Sequence, residues 1–323
     1  VHAEGSPTTR DTGVDTQPLV DAALDPSLDA ARDPSLDAAA PDARASSPDA
    51  AGDPCALAGA RCYYLAPDGD DEGAGSFDDP WFSLNRAWEV VAPGTTIYLH
   101  GGTYAYPEQQ YLSGHDGAPG AMIRVWAYPG ERPAITAAPG YVGQDLVYFE
   151  GSYVHFRGLE LRDFRPTDFG WPAFRSDASR HCIYERIEYH HNDAGMAIRR
   201  DSDDNLVVDS DFHHNEDPFT GYGNADGLQI AFVSAGTTNV VRGCRAWENS
   251  DDGFDFFANE GHVLVERSWS WRNGYIPGTD TPGGNGDGFK LGVTGDHPTE
   301  VLRTIRRSLA FRNRLSGFHS EEG

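Results

Sequence analysis

Five residues in the second half of the chain have types and spacings that could do chemistry. Asp226 lies in NEDPFTGYGNADGLQI (215–230), and Asp251, Asp252 and Asp255 lie in NSDDGFDFF (249–257). Asp226 and Asp251 are 25 residues apart, so in a chain that coils with about that period they stack on neighbouring turns. Four carboxylates in one place repel each other, and they protonate or splay unless a cation joins them. Hard oxygen ligands on loops suit Ca²⁺. A solvated acidic turn is the competing reading in a chain with 50 acidic residues. The fifth residue, Lys290 in GGNGDGFKLGV (283–293), is the only lysine among 323 residues, against 24 arginines. Such a composition supplies arginine wherever a fixed positive charge suffices. Lysine differs in being able to lose its proton when burial or a nearby cation lowers its pKa. Asp255 and Lys290 are 35 residues apart, one coil plus an insertion, which puts Lys290 on the same face one coil further on. An incidental surface lysine is the plainer alternative.

Such stacking needs a repeating scaffold, and the body of the chain repeats. IYERIEYHHN (183–192), LVVDSDFHHN (206–215), VVRGCRAWEN (240–249), LVERSWSWRN (264–273) and TIRRSLAFRN (304–313) align as β-prone runs, each ending in Asn. The Asn spacings are 23, 34, 24 and 40 residues, a base period near 23 with insertions. That is the pattern of a solenoid whose coils carry loops on one side. Five before each Asn stand Ile187, Ser210, Cys244, Ser268 and Ser308, and eight before stand Tyr184, Val207, Val241, Val265 and Ile305. In register, the side-chain amides of Asn192, Asn215, Asn249, Asn273 and Asn313 can hydrogen-bond from coil to coil. The fold expected is therefore all-β, a right-handed parallel β-helix. A leucine-rich repeat is the main competitor, and its regular Leu positions are missing. Leu84 to Val91 reads as a short amphipathic helix capping the N-terminal end, followed by a strand over Thr96 to Leu99.

Residues 1–54 are built from Asp, Ala, Pro and Ser, with a direct repeat of DPSLDAA at 25–31 and 33–39. They carry 11 acidic and 3 basic residues, a net of -8, and read as a disordered spacer before a folded domain over 55–323. Cys55 and Cys62 flank a short loop and suit a local disulfide in an exported protein, whereas Cys182 and Cys244 suit buried thiols. The formal charge of -25 repels nucleic acid and anionic membranes. No apolar run approaches the roughly 18 residues of a membrane span. A secreted monomer follows, which the spacer could tether to a cell surface.

NADGLQI, NSDDGFDFF and NGDGFKLG, in this order and spacing, resemble the motifs of family 9 polysaccharide lyases, calcium-dependent pectate lyases on a right-handed parallel β-helix. The resemblance runs from about Asp68 to the C-terminus. It implies that Asp226, Asp251, Asp252 and Asp255 bind Ca²⁺ and that Lys290 is the catalytic base. The implied reaction is β-elimination on a uronic-acid-containing polysaccharide, polygalacturonate first, with removal of the C5 proton. Two features depart from the family pattern. Asp287 stands where Asn is common, and the chain stops 33 residues after Lys290, which reads as truncation in mid-coil. Arg199, Arg200 and Arg272 are unranked candidates for contacts with further substrate carboxylates. The alternatives are a β-helix glycoside hydrolase using a carboxylate pair such as Asp251 and Asp252, and a non-catalytic, calcium-stabilised glycan-binding protein.

Overall fold

In the second half of the chain, every coil is assembled from three short strands. The computed structural model describes Cys55 and residues 61–166, 170–292 and 302–320, so the expected spacer over 1–54 lies outside the described residues. One coil runs through strands Asn205–Val208, Asp211–His213 and Leu228–Ala231, and the next through Thr238–Arg242, Arg245–Trp247 and Phe254–Asp255. Strand pairings between coils are parallel. They build three ladders. The first is a nine-stranded sheet from Cys62–Leu65 to Arg303–Arg306. The second and third join through the long strand Pro133–Phe149 into one 14-stranded sheet. This is a parallel β-helix, and the five aligned segments are its successive coils in the register read from the sequence: Ile183 pairs with Leu206, Leu206 with Val240, Val240 with Leu264 and Leu264 with Thr304.

Side chains alternate in and out along each strand. On the third ladder Met196, Ile198, Leu228, Ile230, Phe254, Phe256 and Phe289 point into a continuous core. Equivalent rings stack, Tyr189 on Phe212 at 5.0 Å and Phe254 on Phe289 at 4.9 Å, because parallel coils put like positions above each other. The residues between them, Ala197, Gln229, Asp255 and Lys290, form an outward column on the same ladder.

The corner between the second and third ladders is held by the asparagines. The residue before each Asn (His191, His214, Glu248, Arg272 or Arg312) has φ between 51° and 57°, a left-handed conformation that side-chain-bearing residues adopt at a cost. The Asn column fixes this bend. Asn249 Nδ2 donates to Asn273 Oδ1 (3.0 Å) and to the Phe212 carbonyl (3.1 Å), and its own Oδ1 accepts from Asn215 Nδ2 (2.8 Å). The small column five residues earlier acts similarly, with Ser210 Oγ accepting from the Ile187 N–H and Ser268 Oγ from that of Cys244. Asn249→Ala should therefore cost about 2–4 kcal/mol of stability, since it strands buried partners on two coils. The check is the denaturant midpoint, and a change within error would mean that the column is ornamental.

The N-terminal helix is shorter than the expected run of Leu84 to Val91. It spans Leu84–Trp88, with Ser83 as N-cap, and Glu89 and Val90 pass through a turn. Its Leu84, Ala87 and Trp88 enter the core. The strand over Thr96–Leu99 forms as read, Cys55 and Cys62 are disulfide-bonded, and Cys182 and Cys244 are buried thiols.

Candidate active site

A second repeat, distinct from the Asn-ended segments, positions the candidate site residues. Ala194–Ala197 (AGMA), Asp226–Gln229 (DGLQ), Asp252–Asp255 (DGFD), Asp287–Lys290 (DGFK) and Ser316–His319 (SGFH) enter the third ladder in register. The glycine is required by closeness: a Cβ on Gly227 would lie 2.6 Å from the Gly253 carbonyl oxygen, and one on Gly288 2.6 Å from that of Gly317. The residue before each glycine stacks on its equivalents. Asp226 Oδ1 accepts from the Asp252 N–H (3.2 Å), and Asp252 Oδ1 accepts from the Asp287 N–H (2.7 Å). Asp226 thus stacks with Asp252, and the expected partner Asp251 sits one residue out of column. The insertions 216–227 and 274–287 both leave the corner that follows an Asn and return at this repeat.

The structure brings four of the five singled-out residues into one cluster. Carboxylate oxygens of Asp226, Asp252 and Asp255 lie within 4.8 Å of one another, and Lys290 Nζ lies 3.3 Å from Asp252 Oδ2 and 3.7 Å from Asp255 Oδ2. Asp251 is buried beside them, its Oδ1 accepting from the Asn285 N–H (2.5 Å), but it stands outside the 4.8 Å set. Burial, then the neighbouring carboxylates, pushes Asp226 and Asp252 well above the ordinary carboxylate range. Burial likewise raises Asp251, to about 6. Burial drives Lys290 towards its neutral form, but Asp255, Asp252, Asp226 and Asp251 outweigh it and hold the ammonium above its usual value.

This donor set suits a hard divalent cation. Asp252 Oδ2 is buried with no hydrogen-bond donor among the described residues, 3.3 Å from the Lys290 ammonium, and every ligating atom in the cluster is a carboxylate oxygen.

Further side chains support the cluster. Gln229 bridges the cluster outward, its Nε2 donating to Asp226 Oδ2 (3.2 Å) while its Oε1 accepts from Arg199 Nε and Nη2 (2.9 and 2.6 Å). Asp287 is buried and bonded to Ser316 Oγ and His319 Nδ1, both at 2.6 Å, so the residue that departs from the family pattern acts as a brace behind Asp252. Of the three arginines, Arg199 alone borders the cluster. Arg200 pairs with Asp177, and Arg272 is held at the Asn273 corner by Glu248 and Asp280. Beside Asp226 opens a cleft of about 190 Å³, lined by Ala197, Arg199, Gln229, Phe232 and Phe257 among others.

Residues 63–323 match the family model described as Pel9A-like, right handed beta helix region. Pectate lyase L of Dickeya dadantii (strain 3937) is 35% identical over 279 residues, covering 80% of this chain and 61% of that protein. A pectate lyase of Emericella nidulans is 31% identical over 284 residues, covering 79% of this chain and 68% of that protein. Among solved structures, pectate lyase Pel9A superposes with a TM-score of 0.67 at 33% identity, covering 78% of this chain and 64% of that one. A rhamnogalacturonan lyase superposes with a TM-score of 0.69 at 27% identity, covering 79% of this chain and 69% of that one. The chain spans about six tenths of the length of the Dickeya relative.

Proposed function

Because this chain belongs to the Pel9A-like right-handed β-helix family, we propose that it is a polysaccharide lyase. It cleaves uronic-acid-containing polysaccharide, polygalacturonate first, by β-elimination with Lys290 as base. The observation that carries this reading is the sole lysine of the chain packed against the aspartate cluster, 3.3 Å from Asp252. The residues that would hold Ca²⁺ are Asp226, Asp252 and Asp255, with Asp251 beside them. When bound, the ion supplies positive charge that neutralises the carboxylate of the reacting sugar and stabilises the negative charge developing there.

The rest of the chemistry falls to the chain. Lys290 stands on the outward column beside Asp255 and so faces a polymer lying across the third ladder. Its unprotonated amine takes the C5 proton. The electron pair left behind forms the C4–C5 double bond and expels the 4-O-linked sugar. Lys290 is held protonated by the aspartates, so compensating their charge is what allows burial to free the amine. Gln229 orients Asp226, and Asp287 braces Asp252, which keeps the acidic side chains on the base's side of the ladder.

The test is incubation with polygalacturonate and with rhamnogalacturonan in Ca²⁺, following ultraviolet absorbance of the conjugated product. Polygalacturonate should give the faster rise; no unsaturated product from any polyuronate would sink the reading. We place the protein outside the cell, with residues 1–54 as a spacer that takes no part in folding. Among the described residues no helix is long and apolar enough to cross a membrane. Removing residues 1–54 should leave the melting temperature and turnover unchanged, whereas a drop in melting temperature would show that the segment packs on the coils.

A further inference from the structure

We propose that the cleft beside Asp226 is a binding subsite for the uronic acid residue next to the reacting one, with Arg199 as the reader of its carboxylate. The proposal rests on the lyase reading above and adds the residue that recognises the neighbouring sugar.

The cleft exists because the outward column of the third ladder carries a small residue between large ones. Arg175, Ala197 and Gln229 occupy successive coils, so Ala197 makes a floor one coil before Gln229 and two coils before Asp255. Its volume of about 190 Å³ equals roughly six waters at about 30 Å³ each, the scale of one sugar ring. Phe232 and Phe257 border it with 54% and 42% of their surfaces exposed, meeting edge to face at 6.1 Å. Two bared aromatic rings at a cleft in so acidic a chain offer apolar faces for the C–H side of a pyranose.

Arg199 supplies the charge. It is only partly exposed, yet forms no ion pair among the described residues; Nε and Nη2 both go to the neutral Gln229 oxygen. Its neighbour Arg175 is paired with Asp177, and so is Arg200. A guanidinium has five N–H donors in a planar fork that matches a carboxylate. Those that Gln229 leaves over stand at the cleft wall, and among the described residues no carboxylate pairs with them directly, Asp145, Asp177 and Asp226 acting on the guanidinium only from beyond ion-pair distance. Through Gln229 the same arginine is fixed relative to Asp226, so the anion it grips is set at a defined distance from the reacting centre.

Binding of galacturonate trimers, unesterified and fully methyl-esterified, measured by calorimetry on Lys290→Ala in Ca²⁺, tests this without turnover. Adding Arg199→Ala should weaken the unesterified trimer about tenfold or more, as loss of a charge-assisted hydrogen bond requires, and shrink the preference for it over the ester by a similar factor. Adding Arg199→Lys should retain part of that preference, since it keeps the charge and loses the fork. In the otherwise wild-type enzyme, Arg199→Ala should raise KM far more than it lowers kcat. Melting temperatures confirm that the variants fold. A preference unchanged by Arg199→Ala, or equal weakening of both trimers, would overturn the assignment of Arg199. Failure of the unsubstituted enzyme to cleave any polyuronate would instead overturn the lyase reading beneath it.

Discussion

Replacing Lys290 with alanine is expected to lower turnover on polygalacturonate by about 10²–10⁴-fold, the usual contribution of a single general base. The fold should survive, because the side chain points outward and the core of that strand is Phe289, stacked between Phe254 and Phe318. Lys290→Arg should fail nearly as badly: a guanidinium keeps the charge that pairs with Asp252 and Asp255 but gives up its proton only at extreme pH. The pair of variants separates a base from a structural cation. If Lys290 merely neutralised the aspartates, arginine would rescue. Initial rates with Ca²⁺ saturating are the measurement, and near wild-type turnover in either variant would remove Lys290 from the role of base.

Chelation should abolish activity, and Ca²⁺ should restore it. The expected effect is as large as that of losing the base, because one cluster governs both. Asp226, Asp252 and Asp255 crowd their oxygens within 4.8 Å, a repulsion that a cation relieves without protonating them, and the same carboxylates hold Lys290 in its protonated form. Without the cation, the base is occupied by a proton and the substrate carboxylate stays negative. Asp252→Asn should reproduce much of this loss and weaken Ca²⁺ affinity when titrated directly. Full activity in excess chelator would end the metal assignment.

The scaffold was legible because its stabilising groups repeat in the sequence at the spacing at which they meet in space. Asn215, Asn249 and Asn273 hydrogen-bond to each other across 34 and 24 residues, and the strands before them pair in the register that aligning the asparagines dictates. The site was legible less completely, for a geometrical reason. Insertions of different lengths follow Asn215 and Asn273, so counting from an asparagine loses register before the candidate site residues are reached. Counting 25 residues from Asp226 arrives at Asp251, while the ladder pairs Leu228 with Phe254 and hence stacks Asp226 on Asp252. The register past the insertions is carried by the glycines of DGLQ, DGFD and DGFK, where close approach to the next coil admits no side chain. Aligned on those glycines, Gln229, Asp255, Lys290 and His319 fall into one column in the sequence itself, and Asp287 falls beneath Asp252. The proposed role of Arg199 had no such signal, for its distinction is that it forms no ion pair among the described residues and turns to Gln229 instead, which only the packed structure reveals. The amphipathic pattern also ran past the end of the N-terminal helix: beyond Trp88 the chain turns through Glu89 and Val90 towards the Pro93–Gly94 turn that feeds the strand at Thr96.

The account turns on the nature of the bond cleavage, so the most direct measurement is the chemistry of the new ends formed from polygalacturonate in Ca²⁺. Elimination leaves one conjugated 4,5-unsaturated uronate for every new reducing end, so the ultraviolet absorbance and the reducing-end count should rise together in a one-to-one ratio. New reducing ends without that absorbance would mean that water is added across the bond by a carboxylate pair, and would contradict a mechanism built on Lys290.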